Sequence, residues 1–335
     1  MIIAENISLK PYNTFGINVS ANQFAEFNSL ESLKKLLKNE EKHLIIGGGS
    51  NILFTKNFDG IVLKNGLKGI HLLREDDDFI YIQAAGGEQW HQFVLYCVER
   101  NYSGVENLSL IPGCVGAAPM QNIGAYGIEL KDVFYQLEAL HIPSSAICTF
   151  NKEECKFGYR ESVFKKEFKN QYVILNVTFR LKRLPDFHIE YGAIKAELEK
   201  MKISNLSIQA ISQAVINIRE SKLPNPKEIG NAGSFFKNPT ISETSFVSLK
   251  DKFPQIVAYD LPDTKQKKIA AGWLIEQCGW KGFKQDNYGV HAKQALVLVN
   301  YGDANGADIL KLSEQIIESV NEKFSIHLER EVNIV

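Results

Sequence analysis

The chain has little that would staple it covalently or steer it by charge. Its five cysteines, Cys97, Cys114, Cys148, Cys155 and Cys278, are odd in number, widely spaced and form no Cys-x-x-Cys pair. That pattern argues against a disulfide framework and a zinc site, so no metal is expected. Neither sign of charge is in excess: 38 basic and 39 acidic residues leave a formal net charge of -1. Such a balance offers no field for nucleic acid or an anionic membrane. The amino terminus lacks a basic region followed by an apolar core and a small-residue cleavage site, so nothing marks export. A cytoplasmic protein with small-molecule ligands and no obligate protein partner is the expectation. There is also no Gly-x-Ser-x-Gly elbow and no Ser-His-Asp order, which argues against hydrolase chemistry.

What is present is an ordinary core-forming composition, 44% hydrophobic and 23% charged over 335 residues. Single cores seldom grow beyond about 250 to 300 residues, so several subdomains are expected. Residues 107–128 contain no charged side chain. The run is long enough to cross a bilayer, but Pro112, Pro119, Gln121, Asn122 and four glycines would interrupt helix bonding where no replacement partner exists. It reads as a buried loop. Either a polar ligand lies along its glycines and satisfies the backbone, or it is a glycine-rich core crossover.

Taken in order, residues 23–27 form a strand candidate. Asn28 with Glu31 resembles a capping box ahead of a helix bearing Leu30, Leu33, Leu36 and Leu37. A short strand at 44–46 runs into Gly47, Gly48, Gly49, Ser50 and Asn51. A dinucleotide fold of the Rossmann type needs a helix to start at such glycines. Here another strand at 60–63 follows too soon. The glycines can instead form a nest of N–H groups able to hold phosphate, or simply connect two strands. A second unit begins near Gly69, with a strand at 79–84 and a helix whose Trp90, Phe93, Val94, Cys97 and Val98 make one apolar stripe. His91 has no partner pattern there. Strands are expected at 134–141 and 172–181, the latter with Val173, Leu175, Val177, Phe179 and Leu181 on one face. Between them Arg160 ends a turn-like Phe-Gly-Tyr-Arg segment, where it is either solvated or set to meet a carboxylate or phosphate.

Beyond Pro185, residues 189–192 suggest a short strand. Ile208, Ile211, Val215 and Ile218 mark a helix that Leu223-Pro224 ends, with a linker there. Ser234 stands between a glycine and two phenylalanines, small enough for close backbone approach and walled by aromatics. Helices are expected at 242–253, 267–278 and 307–324, and a strand at 295–299. A last strand at 325–332 puts His327, Glu329 and Glu331 on one face, which plain solvent exposure would also explain.

Taken together, residues 47–51, 111–127, 158–160 and 231–239 with Glu331 resemble the bacterial UDP-N-acetylenolpyruvoylglucosamine reductases, from about residue 13 to residue 332. The resemblance implies an α+β fold: two FAD-binding subdomains of the vanillyl-alcohol-oxidase-like (PCMH-type) fold plus a third α+β substrate-binding subdomain. It places the first subdomain at residues 1–67 with the C-terminal strand at about 326–335, the second at 68–218 and the third at 219–325. It further implies that NADPH reduces FAD and that the flavin reduces UDP-N-acetylglucosamine enolpyruvate to UDP-N-acetylmuramate. The implied catalytic trio is Arg160, Ser234 and Glu331. Cofactor contacts fall on Gly47, Gly48, Gly49, Ser50 and Asn51. Others fall on Pro112, Gly113, Gly116, Ala117 and Ala118, then on Gly124, Tyr126, Gly127 and Arg219. Substrate contacts fall on Tyr191, Lys222, Asn238, Tyr259 and Gln294. Tyr191-Gly192 matches the subgroup whose extra loop closes over substrate. Ala117-Ala118 departs from relatives that carry serines there, which removes a hydroxyl contact to the cofactor but leaves backbone contacts. Another flavoenzyme of the same fold class would leave Ser234 and Glu331 without a task. A colourless protein that takes up no FAD would instead favour a non-catalytic nucleotide-binding or structural role.

Overall fold

The structure is a computed structural model and describes residues 2–38, 42–261 and 264–335. Two compact units emerge. The first holds the residues through Ile7, Ala21–Gly48 and Asp59–Ser221; the second holds Ser8–Ser20, Gly49–Phe58 and Lys222–Val335.

In the first unit a four-stranded sheet runs in the order Ile3–Ser8, Ser20–Phe27, Phe58–Asn65, His43–Ile46. The last two strands are parallel, with His43 opposite Ile61 and Ile46 opposite Lys64. The helix Leu30–Leu37 buries Leu33 and Leu36, packing them with Phe27, Ile61 and Leu63. Its cap is Ser29 rather than Asn28: the Ser29 hydroxyl accepts the Ser32 N–H at 3.1 Å, and the Ser32 hydroxyl accepts the Ser29 N–H at 3.2 Å. Ser29 is the residue in extended conformation one step before the helix, which is where a cap must sit.

An antiparallel five-stranded sheet follows, in the order Ile147–Asn151, Phe134–His141, Tyr172–Lys182, Phe79–Ala85, Ile70–Glu75. Its two edge strands carry no clear alternation and escaped the sequence reading. The strand Tyr172–Lys182 is buried on both faces at its start, not on one. Val173 and Leu175 join the core under the first helix, while Ile174, Val177, Phe179 and Leu181 join a second core around Trp90.

The helix Trp90–Glu99 buries its whole apolar stripe. Trp90 lies 5.9 Å from Phe179 and 5.7 Å from Phe93 between ring centroids. Its indole N–H is satisfied by the Leu108 carbonyl at 2.9 Å. Truncating such a residue to Ala costs about 3 to 5 kcal/mol. Here it would also release the start of the uncharged loop.

The second unit contains an antiparallel sheet in the order Gly230–Asn231, Leu298–Asn300, Tyr288–Val290, Lys284–Gln285. A three-stranded sheet runs Thr240–Ser242, Gln266–Ile269, Ala258–Asp260. The helix Gly306–Phe324 is capped by Asn305, whose side chain accepts the Ala307 N–H at 2.9 Å. Four expectations need correction. Residues 267–278 are not one helix: Gln266–Ile269 pairs as a strand, and the helix is only Ala271–Gln277. Ladder bonds to Thr240–Ser242 and Ala258–Asp260 override the helical spacing there. The strand expected at 295–299 is Leu298–Asn300. Residues 189–192 form no strand: residues 190 and 191 are bends and Gly192 (φ +67°) opens the turn into the helix Ile194–Lys200. The segment 325–332 is extended, with Ile326, Leu328 and Val332 buried, but it pairs only through a bridge between Arg330 and Phe236. The closing strand is Asn333–Ile334, parallel to Ile52–Leu53. Among the described residues no helix is long and apolar enough to cross a membrane.

Candidate active site

No helix starts at Gly47 to Asn51; the two-residue strand Ile52–Leu53 does. In the first unit these glycines meet the uncharged loop backbone to backbone. A Cβ on Gly48 would lie 3.1 Å from the Gly113 Cα, and one on Gly116 would lie 3.0 Å from the Gly86 Cα. In the second unit Gly49 (φ +62°) packs so tightly that a Cβ would fall 2.0 Å from the Tyr12 carbonyl oxygen. Only glycine suits that position.

The uncharged loop is folded into short 3₁₀ turns at Val115–Ala117 and Pro119–Gln121. Much of its backbone is satisfied from within the protein. Val115 N–H donates to the Glu88 carbonyl at 2.8 Å and Gly116 N–H to that of Gly86 at 2.9 Å, so a ligand is not required to satisfy these groups. The loop ends in a small hairpin, Gly124–Ala125 against Ile128–Glu129, whose connecting residues Tyr126 (φ 50°) and Gly127 (φ 84°) are both left-handed. A two-residue hairpin turn demands that backbone, and a tyrosine there stores strain of about 1 to 3 kcal/mol.

Several side chains converge on this hairpin within the first unit. The Arg160 guanidinium donates to the Gly124 carbonyl at 2.7 Å, and Arg160 itself is left-handed (φ 56°). The Arg219 guanidinium donates to the Leu110 carbonyl at 3.2 Å. Burial holds that guanidinium below its ordinary pKa; the Tyr126 phenol opposes this and Arg160 reinforces it. Burial raises the Tyr126 phenol, with Arg219 pulling the other way. Two guanidinium groups in one neighbourhood suit an anionic ligand. The Tyr191 side chain rests on the hairpin, its Cβ 3.3 Å from where a Gly127 Cβ would be, and remains about half exposed.

His91, which the sequence left without a partner, has one: its Nδ1 accepts the Leu110 N–H at 3.0 Å. Leu110, left-handed at φ 57°, is thus held by His91 on its N–H and by Arg219 on its carbonyl. Asn107, fully buried, donates to the carbonyls of Tyr126 at 2.9 Å and His188 at 2.7 Å. Nothing in sequence spacing singles out these two residues, because their partners are backbone atoms brought up by tertiary folding.

In the second unit Ser234 is half-buried, flanked by fully buried Phe235 and Phe236. The residue before it is pinned by the Asn231 side chain, which accepts the Gly233 N–H at 3.0 Å. On the other side, Phe235 N–H donates to the Leu296 carbonyl at 2.7 Å. Glu331 N–H donates to the Phe235 carbonyl at 2.8 Å. The serine and carboxylate segments are therefore neighbouring extended segments of one unit. Asn238 accepts the Ala271 N–H at 3.0 Å and so closes the start of the helix Ala271–Gln277. Gln294 accepts the Leu296 N–H at 3.4 Å, while Lys222 and Tyr259 are exposed. Gly49, Ser50 and Asn51 lie in this second unit, and Gly47 and Gly48 in the first.

The first unit contains a cavity of about 540 Å³ lined by Ile45, Gly47, Gly116, Ala117, Tyr172 and Ile174, among others. Its volume is that of a cofactor pocket. It brings together Gly47, Gly116 and Ala117 but not Pro112, Gly113, Ala118, Gly124, Tyr126, Gly127 or Arg219. A cradle of close-packed glycine backbone beside an apolar and aromatic wall fits a flavin dinucleotide.

Fold and cradle define an FAD-binding α+β protein. Residues 25–150 match the profile described as "FAD binding domain", and residues 225–335 match "UDP-N-acetylenolpyruvoylglucosamine reductase, C-terminal domain". The chain is 53% identical to the UDP-N-acetylenolpyruvoylglucosamine reductase of Amoebophilus asiaticus and 49% identical to that of Flavobacterium johnsoniae, covering 100% of both chains in each case. The crystal structure of UDP-N-acetylenolpyruvylglucosamine reductase from Thermus caldophilus superposes with a TM-score of 0.70 at 23% identity, covering 99% of each chain, and so shares the fold. The chain belongs to the UDP-N-acetylenolpyruvoylglucosamine reductase family. It is an FAD-dependent oxidoreductase of peptidoglycan precursor synthesis, with the PCMH-type α+β fold expected from the sequence.

Proposed function

We propose that the chain reduces UDP-N-acetylglucosamine enolpyruvate to UDP-N-acetylmuramate at the expense of NADPH, with Arg160, Ser234 and Glu331 as the catalytic residues. FAD, when bound, would supply the redox chemistry that carries hydride from NADPH to the terminal carbon of the enolpyruvyl group. Gly47, Gly48, Gly113, Gly116 and Ala117 would hold it by backbone contacts; cofactor roles for Pro112, Ala118, Gly124, Tyr126, Gly127 and Arg219, and for Gly49, Ser50 and Asn51, belong to the same proposal. The three-subdomain division and the substrate roles of Tyr191, Lys222, Asn238, Tyr259 and Gln294 belong to the same reading. So do a cytoplasmic location and a purely small-molecule partner set.

Hydride arrival at the terminal carbon pushes charge into the adjacent carboxylate, which preorganised donors must stabilise. Arg160 suits that task because its guanidinium is already oriented by the Gly124 carbonyl. The ether-bearing carbon then needs a proton. Ser234 is a weak acid, but a strongly basic carbon tolerates a weak donor whose geometry is right. Glu331 acts as a neutral donor, since a bare carboxylate beside developing negative charge would raise the barrier. The observation that carries this assignment is the bond from the Glu331 N–H to the Phe235 carbonyl, which sets the carboxylate residue beside the serine segment.

The test is anaerobic mixing of the purified holoenzyme with NADPH and then with the UDP-sugar enolpyruvate. Flavin absorbance should bleach and return, with one turnover of product. Bleaching without return on adding the enolpyruvate would remove the substrate assignment.

A further inference from the structure

We propose that Asn122 is the positioning residue for Arg160, acting through the turn on which that arginine stands. The inference rests on the catalytic role given to Arg160 above. Asn122 is fully buried, sits in the left-handed region (φ 45°), and uses its whole carboxamide. Nδ2 donates to the Gly158 carbonyl at 3.0 Å and to Glu129 Oε2 at 3.0 Å, while Oδ1 accepts the Lys131 N–H at 3.0 Å. Gly158 opens the tight turn that Arg160 occupies, closed by mutual bonds between Gly158 and Glu161 at 3.0 and 3.3 Å.

Arg160 is therefore gripped at both ends by one short stretch of the uncharged loop. Asn122 holds the root of its turn, and the Gly124 carbonyl takes its guanidinium at 2.7 Å. Flanking bonds repeat the pattern, with the buried Ser162 hydroxyl donating to the Met120 carbonyl at 2.7 Å and Lys165 Nζ to Gln121 Oε1 at 3.3 Å. A non-glycine residue at φ 56° will not hold that backbone unless its surroundings over-determine it. The carboxamide of Asn122 is the buried group that ties that turn to the hairpin. It also explains a fully buried amide within this charge-free run: only a short side chain with donors and an acceptor can serve a carbonyl, a carboxylate and an N–H at once.

The experiment is a double-mutant cycle on the holoenzyme using Asn122→Gly, Arg160→Ala and the pair. Glycine keeps the left-handed backbone without strain and removes only the carboxamide; Asn122→Asp keeps the volume and serves as the second variant. Two quantities are read: the affinity for the product UDP-N-acetylmuramate by calorimetry, and the rate at which the enolpyruvate reoxidises the reduced flavin. Asn122→Gly is expected to weaken product binding and to slow reoxidation by about 10- to 100-fold, the scale of a misplacement of about 1 Å. Asn122→Gly should add little once Arg160 is Ala. FAD content and the rate of bleaching by NADPH should stay near the parent values. Losses that multiply in the double variant would overturn the proposal, as would loss of FAD from Asn122→Gly and Asn122→Asp alike. If Arg160→Ala itself leaves reoxidation intact, the role of Arg160 fails. If Arg160→Ala is slow and Asn122→Gly is not, only the positioning role fails.

Discussion

The Asn51 carboxamide donates to the Glu331 carbonyl at 3.2 Å, joining residues 280 positions apart in the chain. The Asn333 N–H returns a bond to the Asn51 carbonyl at 3.1 Å. The end of the glycine-rich loop thus fixes the backbone of the proposed catalytic carboxylate, so its depth beside Phe235 is set from two sides.

For Glu331 the proposed neutral-donor role makes Gln a better replacement than Ala. Glu331→Gln keeps a side-chain N–H donor in the same place and should retain about tenfold more enolpyruvate reoxidation activity than Glu331→Ala, the worth of about one hydrogen bond. Stopped-flow reoxidation of the two variants measures this. Equal rates would show that the carboxyl position does not donate.

Ser234 separates the two half-reactions. Reduction by NADPH needs no proton donor to carbon, so Ser234→Ala should bleach at close to the parent rate. Reoxidation should fall by about 10²- to 10⁴-fold or more, and Ser234→Cys, a stronger acid in nearly the same place, should recover part of it. Equal slowing of both halves would instead make Ser234 a positioning group.

Tyr191 lies on the Tyr126-Gly127 turn yet is about half exposed, at a chain reversal that Gly192 permits. It is expected to close over substrate. Hydrogen exchange at residues 188–193 should slow when saturating UDP-sugar is added to the holoenzyme. Unchanged exchange would leave Tyr191 as a static contact.

The imidazole of His91 links pH to stability. Burial keeps its pKa below the ordinary 6.5, with Arg219 acting in the same direction and Glu220 opposing. Protonating Nδ1 would break the bond from Leu110. As pH falls below about 6.5 the unfolded chain takes up this proton first. The stability contributed by the neutral ring is therefore complete above that pH and drains as pH drops toward the folded-state value. His91→Gln can still accept the Leu110 N–H but cannot titrate. Urea midpoints at about pH 7.5 and pH 5.5 should fall less on acidification in the variant than in the parent. The same acid loss in both would place the responsible group elsewhere.

NADPH and the UDP-sugar are expected to use the protein in turn, because the glycine loop leads into a strand and not into a dinucleotide-binding helix. Initial rates varied against both should give parallel double-reciprocal lines; intersecting lines would indicate both bound together.

Much of the fold is legible in the sequence. The leucines of Leu30–Leu37 and the stripe of Trp90–Glu99 are periodic, and that periodicity follows from the helical turn alone. The segment Tyr172–Lys182 is legible as a strand, but the single face expected for Val173 to Leu181 divides between two cores at a register shift. The absence of a helix at Gly47 to Asn51 was likewise a matter of counting residues between strands. The long glycine-bearing motifs, read as a whole, carried the family.

Where backbone partners decide, sequence was silent or misleading. Gln266–Ile269 has helical spacing but is a strand, because two neighbouring strands offer it ladder bonds. Residues 325–332 alternate like a strand, yet few of them find a pairing edge. The supports of the candidate site, Asn107, Asn122, Asn231 and His91, bond chiefly to carbonyls and N–H groups that any residue could supply. Side-chain identity encodes burial and local period; which backbone atoms a buried amide will meet is settled only when distant segments pack, and that packing fixed the geometry of this site.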